Sequence, residues 1–146
     1  MKLFIKKLNE MAVVPKRATS GSAGFDLSAC IKEPVTIEPH KIVKIPTGIS
    51  VAPETPDCVL LIYVRSSLAT KHGITLANSV GVVDSDYRGE IIVSLVNMSD
   101  ESYTIEPSDR IAQLVVTPVL YPETEVVDEL SQTERGAGGF GSTGKK

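Results

Sequence analysis

The chain reads as an all-β protein, a sandwich, jelly roll or small barrel, on two observations. Phe25, Leu27 and Ala29 alternate with Asp26 and Ser28, while residues 59–64 and 91–96 form short β-branched runs, the patterns of half-buried and buried strands. Nine prolines, from Pro15 to Pro122, punctuate the whole length and forbid long helices. With 146 residues and no internal repeat, the chain is one domain large enough to bury a core.

Composition narrows the class. Apolar residues make up 42% and charged residues 23%, the balance of a globular protein, and no apolar run is long enough to span a bilayer. The opening Met1-Lys-Leu-Phe-Ile-Lys6 turns charged too soon for a secretory signal. A formal charge of −3 argues against nucleic acid as a partner, so any anionic ligand must be held by local positive charge. Cys30 and Cys58 sit in strand-like contexts and read as small buried hydrophobes. A cytoplasmic protein fits all of this.

One short helix is expected over Ser66-Ser-Leu-Ala-Thr-Lys-His-Gly73, with serine as N-cap and glycine as its end. Directly after Arg65, its free N–H groups suit a phosphate; a plain capped surface helix explains the same residues. The next informative stretch runs from Asn78 to Ile92. Two apolar pieces, residues 80–83 and 91–96, flank the polar loop of residues 84–89 and read as a β-hairpin. That loop gathers Asp84, Asp86 and Tyr87. A carboxylate at a strand end can take a proton from water, and a tyrosine face packs on a sugar or base. A decorated turn without chemistry is the alternative.

In Arg110-Ile-Ala-Gln-Leu-Val-Val116, an arginine and a glutamine stand three apart in an apolar strand, which places them on opposite faces. Arg110 then pairs with a buried carboxylate such as Asp26, and Gln113 is free to meet a water. After Val127 the apolar periodicity is lost, which divides a core over 1–127 from a polar, flexible arm over 128–146. That arm ends in Arg135-Gly-Ala-Gly-Gly-Phe-Gly-Ser-Thr-Gly144, with five of the eleven glycines. Converging backbone N–H groups and a guanidinium suit phosphate oxygens, but no chain remains to form the helix of a P-loop. Either the segment folds over a site built elsewhere, or it is a disordered Gly/Ser tail.

Taken in order, these segments resemble the five motifs of the trimeric deoxyuridine triphosphatases, the dUTPase family. Ser22-Ala-Gly-Phe-Asp-Leu-Ser-Ala29 is similar to the first motif, and Arg65-Ser-Ser-Leu-Ala69 to the second. Asn78 through Ile92 is similar to the third, Asp109-Arg-Ile-Ala-Gln-Leu114 to the fourth, and Arg135 to Gly144 to the fifth. The resemblance implies a distorted jelly roll of the β-clip type with one short helix, assembled as a homotrimer with active sites between subunits. It also implies hydrolysis of dUTP to dUMP and pyrophosphate by attack of water on the α-phosphorus, supplying dUMP for dTMP synthesis and keeping uracil out of DNA.

Roles follow by matching position. The resemblance implies that Asp84 deprotonates the water and Gln113 holds it or a phosphate oxygen, while Arg65, Ser66 and Ser67 grip the phosphates. Tyr87 packs on the deoxyribose and leaves no space for a 2′-hydroxyl. Backbone groups at Asn78, Val82, Val83 and Ile92 read the uracil edge. Phe140 stacks on uracil, and Arg135, Gly141, Ser142 and Thr143 wrap the outer phosphates. Asp26 and Arg110 stand behind these groups. Mg2+ is implied on the substrate phosphates without a direct protein ligand, with Asp26 reaching it at most through water.

The second motif departs from the usual Pro-Arg-Ser-Gly, reading Val64-Arg-Ser-Ser67 here. Related dCTP deaminases share the fold and often carry Arg-Ser-Ser, but deamination needs a differently placed carboxylate at the base. A non-catalytic nucleotide-sensing module is a further alternative, against which the retained Asp84, Gln113 and Arg135 speak.

Overall fold

The computed structural model describes residues 1–139. Its elements are β1 (Leu3–Lys7), β2 (Phe25–Ser28), β3 (Val35–Ile37), β4 (Ile42–Pro46), β5 (Ile49–Pro53), β6 (Cys58–Val64), α1 (Ser66–His72), β7 (Ile74–Leu76), β8 (Gly81–Val83), β9 (Ile92–Asn97), β10 (Tyr103–Ile105) and β11 (Arg110–Pro118). The strands form four small antiparallel sheets, in the orders β1-β5, β10-β3, β2-β11-β6-β8 and β4-β9-β7. This is the distorted jelly roll.

Alternation builds the core. Cys58, Leu60 and Ile62 of β6 are buried, and so are Val93, Leu95 and Asn97 of β9. Leu60, Ile62, Val93 and Leu95 meet Leu27, Ile37, Ile45, Ile49, Ile74, Ile105 and Leu114 in one cluster. Each such aliphatic side chain contributes roughly 1.5–3 kcal/mol by leaving water. Both cysteines are buried and free, and burial pushes the Cys30 thiol up, with the Glu90 carboxylate adding to the effect. Among the described residues, no helix is long and apolar enough to cross a membrane.

Three local expectations are corrected. Residues 80–83 and 91–96 do not pair as a hairpin, because β8 pairs with β6 whereas β9 pairs with β4 and β7. The intervening loop is instead bonded to the β4–β5 turn, which draws the chain into the second sheet. Arg65, not Ser66, is the N-cap of α1, and it has no side-chain cap bond. Gly73 closes the helix at φ 65°, as expected. Thirdly, a β-bulge between Arg110 and Ala112 inserts one residue opposite β2. Arg110 therefore pairs with Ser28 and Gln113 with Asp26, two positions on one face of β2, and the supposed opposite faces become one.

Asn97 is the polar exception in the core. It is fully buried, its amide nitrogen donates to Ile37 O at 2.9 Å and Glu101 O at 2.7 Å, and its oxygen accepts from the N–H and hydroxyl of Ser99. Replacing it with alanine strands these partners, and the expected loss is about 2–4 kcal/mol in urea unfolding.

Candidate functional site

The loop after β8 is fixed at its far end by five hydrogen bonds to the β4–β5 turn. The Thr47 hydroxyl and N–H both donate to Ile91 O, at 2.6 and 3.2 Å, and Ile91 N–H donates to Ile49 O at 2.9 Å. Gly48 N–H donates to the Glu90 carboxylate at 2.7 Å, and the Ser50 hydroxyl to Arg88 O at 2.8 Å. Gly48 is required there. Its φ is +69°, and a Cβ would stand 2.6 Å from Cys30 Sγ and 2.8 Å from Ala12 Cβ.

This anchoring opens a cavity of about 260 Å3 between the sheets. Asn78, Val82, Val83, Asp84, Tyr87 and Ile92 all line it, six residues singled out in the sequence. Ile62, Leu76 and Val93 supply an apolar floor, and Glu90 and Ser94 add polar groups. The Asp84 carboxylate is exposed and has no hydrogen bond among the described residues, so it is free to meet a water. Its own carbonyl accepts the Tyr87 N–H at 3.1 Å, which closes the turn. Asp86 does not line the cavity.

A second cluster forms on β2, β6 and β11. The Asp26 carboxylate takes Arg65 Nε on one oxygen at 3.3 Å and an Arg110 terminal nitrogen on the other at 3.0 Å. Two guanidiniums on one carboxylate leave a net positive charge and several unused N–H donors. Lys16, Arg17, Ser28 and Arg110 line a neighbouring cavity of about 490 Å3 with Asp26. Ser66 and Ser67 are exposed at the start of α1, immediately after Arg65. The Gln113 amide nitrogen donates weakly to Val64 O at 3.4 Å, and its side chain packs over Gly24.

The two halves are not joined within one chain. Ile62 floors the first cavity from the core face of its sheet, whereas Gln113 is the cross-strand partner of Tyr63, one residue on. Adjacent strand residues point to opposite faces, so Gln113 looks away from that cavity. Asp84 also lies two strands and about four residue levels from Gln113, on the order of 15 Å at sheet spacings.

Arg135 is described and exposed, with its Nε donating to Gly138 O at 2.9 Å in a local turn. Phe140, Gly141, Ser142 and Thr143 lie outside the described residues. No group of three or more His, Cys, Asp or Glu among the described residues is placed to hold a metal. The sequence reading assigns no role to Glu90, Thr47 or Ser50. Glu90, an acid placed just before an apolar strand, was the available signal, but the partner of its carboxylate, Gly48, lies 42 residues away.

A family model described as dUTPase matches residues 10–144. A deoxyuridine 5'-triphosphate nucleotidohydrolase of Hahella chejuensis is 47% identical over 146 residues, covering 100% of this chain and 96% of the relative. One from Coxiella burnetii is 49% identical over 145 residues, covering 99% and 95%. Among solved structures, a Staphylococcus bacteriophage 80alpha dUTPase with dUpNHpp superposes with a TM-score of 0.87 at 31% identity, over 98% of each chain. A mutant dUTPase of the S. aureus phage phi11, described for its coordination of a structural Mg(II) ion, gives 0.80 at 25% identity, over 90% of this chain and 100% of that one.

Proposed function

The chain belongs to the dUTPase family, and from that we infer that it hydrolyses dUTP to dUMP and pyrophosphate with Asp84 as the base that activates water. The observation that carries the assignment of roles is the cavity in which the free Asp84 carboxylate and the Tyr87 ring share one wall. Water attacks the α-phosphorus as its proton passes to Asp84. The bond to the bridging oxygen breaks, and pyrophosphate leaves.

Uracil enters the cavity and meets the backbone near Asn78, Val82, Val83 and Ile92. Cytosine presents a donor where uracil presents an acceptor, which leaves facing groups unpaired at a cost of roughly 1–3 kcal/mol each. Tyr87 stands against the deoxyribose. Arg65, Ser66 and Ser67 take the phosphates at the start of α1, and Arg110 and Asp26 hold Arg65 in place. Gln113 holds the water or a phosphate oxygen.

The residues fit a magnesium ion carried by the substrate. Both Asp26 oxygens face guanidiniums, and among the described residues no His, Cys, Asp or Glu cluster competes for the ion. When bound, the ion would neutralise triphosphate charge, and Asp26 would reach it at most through water.

The catalytic site is shared between chains of a homotrimer. Asp84 lines the cavity floored by Ile62, whereas Gln113 pairs with Tyr63, the next residue along β6, which faces the other way, so a complete set needs a second copy, and C3 symmetry closes such heterologous contacts. The arm of residues 128–146 closes over the nucleotide with Arg135, Phe140, Gly141, Ser142 and Thr143. We place the enzyme in the cytoplasm, where the nucleotide pool lies. Deamination is the weaker reading, since among the described residues the carboxylate free at this cavity, Asp84, stands on the loop matched to the hydrolytic motif.

Incubation with dUTP, dCTP, dTTP and UTP plus magnesium is expected to release pyrophosphate from dUTP alone, without ammonia. Asp84→Asn is expected to lower kcat at least about a hundredfold without loss of fold by circular dichroism. Refolding Asp84→Asn together with Arg65→Ala, each inactive alone, is expected to restore about a quarter of wild-type turnover, the share of sites that randomly mixed trimers complete. No recovery would rule out a shared site. Truncation after Glu134 is expected to leave three chains per particle by light scattering and to cripple turnover.

A further inference from the structure

Gly89 is a glycine for space rather than for backbone freedom. Its φ lies outside the left-handed region, so alanine is allowed there by the backbone. A Cβ at this position would nevertheless stand 2.2 Å from Tyr87 Oη, 2.5 Å from Cζ and 3.0 Å from Cε2. The phenol ring lies directly on the Gly89 backbone. Its hydroxyl donates to Glu90 O at 3.2 Å, and the Glu90 side chain is in turn fixed to Gly48.

We propose that Gly89 is a positioning residue that seats Tyr87 against the sugar and thereby sets discrimination between deoxyribose and ribose. The inference rests on the reading that Tyr87 walls off the 2′ position. A methyl group at residue 89 requires the phenol to move about 1.2 Å to regain a 3.4 Å contact. The ring is stiff, so a shift of this size at Oη is met by turning the whole ring by roughly ten degrees within its rotamer well, which breaks the hydroxyl bond to Glu90 O. Tyr87 is 46% exposed, which leaves solvent as the open direction. With the ring pushed outward by about 1.2 Å the wall recedes by close to the length of a C–O bond, a 2′-hydroxyl finds room, and the grip on dUTP loosens.

The test measures kcat and KM for dUTP and UTP in wild type, Gly89→Ala, Tyr87→Ala and the double variant. In Gly89→Ala, the ratio of kcat/KM for dUTP over UTP is expected to fall roughly tenfold, with KM for dUTP raised more than kcat is lowered. On the Tyr87→Ala background, Gly89→Ala is expected to change nothing further, because the ring it displaces is gone. If Tyr87→Ala relaxes the ratio but Gly89→Ala does not, or if Gly89→Ala costs the same on both backgrounds, the positioning role is overturned while the reading of Tyr87 stands. If Tyr87→Ala itself leaves the ratio at the wild-type value, the reading of Tyr87 falls and this inference with it. Should Gly89→Ala not fold, the measurement moves to a Tyr87→Phe background, which lacks the nearest atom, and the same drop relative to Tyr87→Phe alone is expected.

Discussion

The hydrogen bonds between the β4–β5 turn and residues 88–91 are the constraint on which the cavity beside Asp84 and Tyr87 depends. Thr47, Gly48, Ile49 and Ser50 hold the loop where it passes from one sheet to the other. Without them the eight residues between β8 and β9 could close as an ordinary hairpin and fill the space that the cavity now occupies. Each bond is individually worth about 1 kcal/mol net, but together they fix the loop carrying Asp84 and Tyr87 at its far end. The glycine at position 48 belongs to the same device, since no side chain fits between Cys30 and Ala12.

Charge is arranged on the same principle of local fixation. A chain with a net charge of −3 binds a triphosphate only if cations are concentrated at one place. The bulge in β11 does this by turning Arg110 onto the face of Asp26, where Arg65 arrives from the end of β6. The carboxylate holds both guanidiniums against their mutual repulsion and leaves donors directed outward. A neutral residue in its place would leave two cations side by side with nothing between them.

The separation of the two halves across a sheet gives the proposed assembly its chemical reason. A single jelly roll presents the cavity lined by Ile62 from one side of β6, and Gln113 pairs with Tyr63, whose side chain faces the other. Packing three copies around an axis brings unlike faces together three times without lengthening any chain.

Much of this protein was legible in the linear order of its residues. The strand periods, the proline punctuation, the glycine at the end of α1 and the five motifs were all local patterns, and local patterns are what 2.0- and 3.6-residue periodicities encode. The pairing of Arg110 with Asp26 could be anticipated from chemistry alone, because a half-buried guanidinium needs a carboxylate. The tertiary structure decided the rest. It placed β8 and β9 in different sheets, put Arg110 and Gln113 on one face, made Arg65 the cap of α1, and gave Glu90, Thr47 and Ser50 their tasks. Apart from the cap of α1, these features rest on contacts between residues about twenty to eighty positions apart or on a single inserted residue in a ladder. Neither leaves a trace in the period of the sequence, since a bulge or a bond across the fold changes no residue type; only folding in three dimensions brings such partners into reach.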